Sequence, residues 1–187
     1  MTFESYTQDL NLHYERYFGI KGTKYVWPKD PHQKMHPEFY VLVFAPNNIH
    51  QMWIYCTVGM SLFRDDNNLI ELFIFSPQQD DSIVELLTVA ASYHISNTPL
   101  NIHHTFNIGR PWLNESNCEH CFISLPYLDG ERLEIFQYQD KQVHCYWLIP
   151  ITEAEKNYKI KFGYEALEQL FENSSLDYLK VGRKSLI

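Results

Sequence analysis

The sequence predicts an α+β domain built on a mixed, largely antiparallel sheet packed by helices. Three observations carry that prediction. Short runs rich in Val, Ile, Phe and Tyr lie between turn clusters, as adjacent strands do. Two segments open on capping boxes, and helical stripes recur with apolar residues three and four apart. Strands and helices neither alternate strictly nor separate into halves, which favours a mixed sheet over a doubly wound one.

In chain order, Tyr6, Leu10, Tyr14, Tyr17 and Phe18 form one helical stripe over residues 5–18, stopped by Gly19 and Gly22. Pro28, Pro31 and Pro37 among polar residues make 23–38 a loop. Phe39–Phe44, Met52–Val58 and Leu69–Phe75 are apolar runs closed by Pro46-Asn47-Asn48, Gly59 and Pro77, and read as strands. Ser82 and Glu85 form a capping box for a helix that runs to about His94, before Asn97-Thr98-Pro99. Further strands are expected near 101–106, 121–125, 133–138 and 143–149. Thr152 and Glu155 are a second capping box. Gly163 interrupts the pattern, Tyr164, Leu167, Leu170 and Phe171 mark a last helix, and a strand-like tail follows near 177–181.

A length of 187 residues fits one folded domain. We divide it into an N-terminal helix-and-loop extension, 1–38, and a main domain, 39–187. The net charge of −8 repels phosphate, so nucleic acid is excluded as a partner class. Met1-Thr2-Phe3-Glu4-Ser5-Tyr6 lacks the basic and apolar regions of a secretory signal. No stretch nears the roughly 18 apolar residues of a membrane span. Four irregularly spaced Cys do not make a disulfide framework, so a cytoplasmic location is expected.

Few constellations bear chemistry. There is no G-x-S-x-G elbow, no H-E-x-x-H and no phosphate-cradling Gly loop. Cys118-Glu119-His120-Cys121 is the most metal-like fragment, since two thiolates at this spacing can clamp a zinc at about 2.3 Å. His144 and Cys145 are the candidate second half, but adjacent strand residues point to opposite faces, so at most one could join. A zinc-dependent enzyme or zinc-stabilised domain using Cys118, His120, Cys121 and His144 is therefore the alternative reading. The main reading has no metal and no cofactor. His103 and His104 also diverge if they lie on a strand.

Several segments, in order, resemble the suppressor-of-fused family. They are Trp53 to Ser61, Leu69 to Phe75 around its Glu-Leu pair, Leu86 to Tyr93, Gly109-Arg110-Pro111-Trp112, Pro126-Tyr127, Tyr146 to Glu155, Leu167 to Phe171 and Arg183-Lys184-Ser185. Together they span roughly residues 39 to 185, and the chain resembles a bacterial-type, single-domain member. The resemblance implies a mixed α+β fold and a non-enzymatic protein-binding role. Animal members grip an extended peptide between strands, and bacterial members resemble immunity proteins that neutralise a toxin encoded nearby. Carried over, the grip falls on Tyr93, His104 and Thr105. The acidic neighbour that the family places beside the His is His103 here. The expected partner is thus a protein, with this chain a monomer or weak homodimer.

Overall fold

The computed structural model describes residues 3–31, 35–96 and 99–187. The leader reading at Met1-Thr2, part of the 23–38 loop and the Asn97-Thr98 helix stop lie outside the described residues.

The first helix, α1, is Phe3–Phe18. Its stripe holds: Tyr6, Leu10, Tyr14 and Phe18 are all buried. Gly19 ends it at φ 71, a left-handed conformation that favours glycine, and donates its N–H to the Glu15 carbonyl at 3.0 Å. The loop expected over 23–38 contains a short strand, β1 (Thr23–Tyr25), paired antiparallel with Val41 to Val43. Three residues, Thr-Lys-Tyr, are too few and too polar to show a two-residue period.

The next three strands, β2 (Tyr40–Phe44), β3 (Trp53–Val58) and β4 (Ile70–Ser76), form an antiparallel meander. They read as continuous apolar runs because both faces of the sheet are covered. Helix α2 (Asp81–His94) follows, and here the expected capping box is corrected. The cap is Asp80, whose Oδ1 accepts the Ser82 N–H at 2.9 Å. An equally competent cap two residues earlier pulls Ser82 into the first turn, and Glu85 pairs instead with Arg110 at 3.1 Å.

Strand β5 (Thr105–Asn107) is shorter than the 101–106 expectation and lies further along. Then come β6 (His120–Ser124), the single-turn helix α3 (Glu131–Glu134), β7 (Ile135–Tyr138) and β8 (Lys141–Ile151). The strand expected over 133–138 thus begins inside α3. Helix α4 (Glu153–Phe162) carries the predicted capping box at Thr152 and Glu155. Gly163 separates it from α5 (Tyr164–Asn173). The tail near 177–181 is turns, not a strand: Lys180 and Arg183 donate their N–H groups three residues back, to Asp177 and Lys180.

The sheet order is β1-β2-β3-β4-β8-β6-β5, with β7 also on β8. Only β4 and β8 run parallel, so the sheet is mixed and largely antiparallel, as predicted. One face packs α1, α5 and the C-terminal segment over Phe73, Phe75 and Trp147. The other packs α2 and Trp112 over Leu72, Ile74 and Leu148. Alternate residues of one strand thereby feed two cores. Among the described residues, no helix is long and apolar enough to cross a membrane.

Two buried polar knots tie the termini to this frame. Glu71 on β4 accepts from the Tyr6 hydroxyl (2.9 Å), the Thr57 hydroxyl (2.7 Å) and the N–H groups of Gly59 and Met60 (both 3.1 Å), joining α1 to the β3–β4 connection. Arg183 forks onto both oxygens of Glu155 at 2.6 and 2.7 Å, clamping the C-terminal segment to α4.

Candidate functional site: the open edge at β5

The main strand order ends at β1 and β5, and β7 forms a further margin beside β8. At β5 the pairing with β6 brings Thr105 opposite Phe122, Phe106 opposite Cys121 and Asn107 opposite His120. Ile123 donates to the His104 carbonyl at 3.0 Å, and Ile108 donates to the Glu119 carbonyl at 2.8 Å. Ladder bonds alternate along an antiparallel strand, so His104, Phe106 and Ile108 bond towards β6. Thr105 and Asn107 then turn their backbone N–H and C=O groups outward, away from the sheet. An unpaired row of this kind is a template for another strand.

The strand starts at a bulge. His103 also donates its N–H to Ile123, at 2.8 Å, so two residues meet one partner. His103 sits at φ 62, a left-handed conformation that His tolerates better than most residues. The bulge turns its ring flat onto Tyr164, with centroids 3.6 Å apart and planes at 9°. Its Nε2 lies 3.8 Å from Glu168, which also accepts from the hydroxyls of Ser124 (2.8 Å) and Tyr127 (2.9 Å). Burial lowers the pKa of His103 against the opposing pull of Glu168, and burial with Lys159 lowers that of His104.

On the α2 face, Tyr93 is 47% exposed and its ring lies 6.1 Å from that of Phe106. The structure thus gathers Tyr93, His104 and Thr105 at one edge, each differently disposed. Tyr93 presents an open aromatic face. Thr105 presents outward backbone groups. The His104 ring is turned back, its Nδ1 accepting the Asn101 N–H at 3.2 Å. Sequence reasoning missed Phe106, although alternation through His104, Phe106 and Ile108 was the available signal. It also missed the stack of His103 on Tyr164, for which a separation of 61 positions leaves no local pattern.

The zinc alternative loses its geometry. Cys118 and Cys121 are buried in the core under α2, whereas Cys145 faces the opposite core beneath the Tyr14 hydroxyl at 3.3 Å. Cys121 pairs with Pro150, six positions along β8 from His144, or roughly 20 Å at strand rise. His144 instead meets Glu134 at 3.1 Å. Burial pushes the Cys118 and Cys121 thiols up. Among the described residues, no three His, Cys, Asp or Glu side chains are grouped to hold a metal ion.

This fold is that of a known class: the chain belongs to the suppressor of fused protein (SUFU) family, whose family model matches residues 36–184. Among solved structures it is similar to a SUFU homologue from Neisseria gonorrhoeae FA 1090, 31% identical, covering 98% of each chain at a TM-score of 0.86. A chain of the Sufu–Fu complex shares the fold at 10% identity, covering 97% of this chain and 92% of that one with a TM-score of 0.73. The chain is also similar to Immunity protein YqcF of Bacillus subtilis (strain 168), 29% identical over 73 residues, a match that spans 39% of this chain and 38% of that protein.

Proposed function

We propose that this chain is a non-catalytic binding domain that neutralises a protein partner, most concretely a toxin domain encoded nearby, by accepting an extended segment along β5. The observation that carries this reading is the outward-facing backbone of Thr105 and Asn107 beside the half-exposed Tyr93. Main-chain bonds from the free edge supply affinity, and the flanking aromatic ring selects a side chain of the incoming segment. The immunity role named for YqcF supports the toxin as the kind of partner. The net charge of −8 steers a basic partner towards the domain. No bond is made or broken by this chain.

The test is titration against the product of the adjacent gene at low and moderate salt. A 1:1 complex is expected that weakens as salt rises. Thr105→Pro deletes an outward N–H and is tolerated on an edge strand. Tyr93→Ala removes a half-exposed anchor of the kind that dominates interfaces. Each is expected to weaken binding at least tenfold while the domain stays folded. Full affinity in both variants would reject β5 as the binding edge.

A further inference from the structure

A second site lies where α1, α3 and β7 line an open cleft of about 460 Å³. That volume falls in the range of small-ligand pockets, roughly 300–1,000 Å³. Its walls include Arg16 from α1 and Arg132 from α3; Leu12 of α1 supplies exposed apolar surface, and the buried Phe136 and Tyr138 of β7 form the floor.

The arginines single this cleft out. The chain has five. Arg64 pairs with Asp66 and donates to the His94 carbonyl at 2.6 Å. Arg110 is held by Glu85 at 3.1 Å and the Ser82 carbonyl at 2.8 Å. Arg183 is clamped on Glu155. Among the described residues, only Arg16 and Arg132 make no ion pair and no side-chain hydrogen bond, and both line this cleft. In a chain with 23 acidic residues against 15 Lys and Arg, two guanidinium groups thus stand open over one concavity.

The remaining polar groups fit the same occupant. Asp9 lines the cleft without pairing with either arginine, leaving an acceptor for a ligand hydroxyl or amine. His13 directs Nε2 at the Leu133 carbonyl at 2.9 Å. A carbonyl only accepts, so that nitrogen carries the proton and Nδ1 is left as an acceptor. Guanidinium forks match the two-oxygen edge of carboxylate and phosphate groups.

We propose that the cleft between α1 and β7 binds a small organic oxyanion, a molecule bearing a carboxylate or phosphate group, with Arg16 and Arg132 on the charged end and Leu12 against its apolar part. This site is independent of the partner edge at β5.

Thermal-shift and calorimetric titrations of the full chain with AMP, 4-hydroxybenzoate and uncharged adenosine test it. Saturable binding of at least one of the two anions is expected, and the one that binds names the headgroup. Adenosine should bind at least tenfold more weakly than AMP if phosphate is preferred, and not at all if carboxylate is. Arg16→Gln with Arg132→Gln should weaken the anion at least tenfold. Both positions are exposed, and glutamine suits a helix as well as arginine does. Arg132→Lys keeps the charge, loses the fork and should give an intermediate affinity. No saturable binding of either anion would overturn the proposal, as would adenosine binding as tightly as AMP. Unchanged affinity in the paired glutamine variant would place any bound anion elsewhere.

Discussion

Arg183→Ala is expected to destabilise the domain by about 3–5 kcal/mol at pH 7, the range for breaking a buried ion pair by removing one partner. Glu155 is fully buried and Arg183 is 6% exposed, so neither charge has water to fall back on. Burial alone would push the Glu155 carboxyl up. The Arg183 guanidinium and the N–H groups of Thr152 (2.9 Å) and Leu186 (3.1 Å) outweigh it and hold the pKa below the ordinary value. The stabilisation is therefore present above the unfolded carboxyl pKa and lost as pH falls through the folded one. Without Arg183, burial dominates and the sign inverts, so the loss relative to wild type should shrink as pH falls from 7 to 5. Urea unfolding at both pH values measures this. A loss below about 1 kcal/mol, equal at the two, would mean that the pair behaves as a solvated surface contact.

Legibility in the sequence followed the range of the interactions. Thr152 and Glu155 are three residues apart, and their capping box was readable because it closes within one helical turn. The α1 stripe and the runs of β2 to β4 were readable for the same reason: periodicity and bounding Pro or Gly are local. Ser82 misled because Asp80, two residues earlier, offers the same chemistry. β1 left no signal, since a three-residue strand is defined by its partner β2 and not by its own pattern. At the candidate site, Tyr93 and Thr105 came from family resemblance. That β5 ends the sheet could not be read at all, because an edge is a property of strand order. Arg183 and Glu155 likewise meet across 28 positions with nothing between them to announce it.

Glu71 carries the second large effect. It interrupts an otherwise apolar run, and the structure closes it off completely from water. Burial pushes its carboxyl up to about 7, against the four donors that favour the ionised form. Glu71→Ala orphans those donors, each worth about 1–3 kcal/mol when left unsatisfied, and should cost at least about 3 kcal/mol at pH 5. The cost should depend on pH in a definite direction. Between the unfolded value near 4.5 and the folded value near 7, the native state holds a proton that the unfolded chain has released. Native stability from this group therefore falls as pH rises through that window, by about 2–3 kcal/mol from pH 5 to pH 8. Burial takes His94 down to about 4, which acts in the opposite direction, since its stabilisation is lost as pH falls from the unfolded value. Taking the difference between wild type and Glu71→Ala at each pH removes that contribution. The variant should be about 2–3 kcal/mol less costly at pH 8 than at pH 5. An equal or larger cost at pH 8 would mean that Tyr6, Thr57, Gly59 and Met60 hold Glu71 ionised within the fold, making it a stabilising anion.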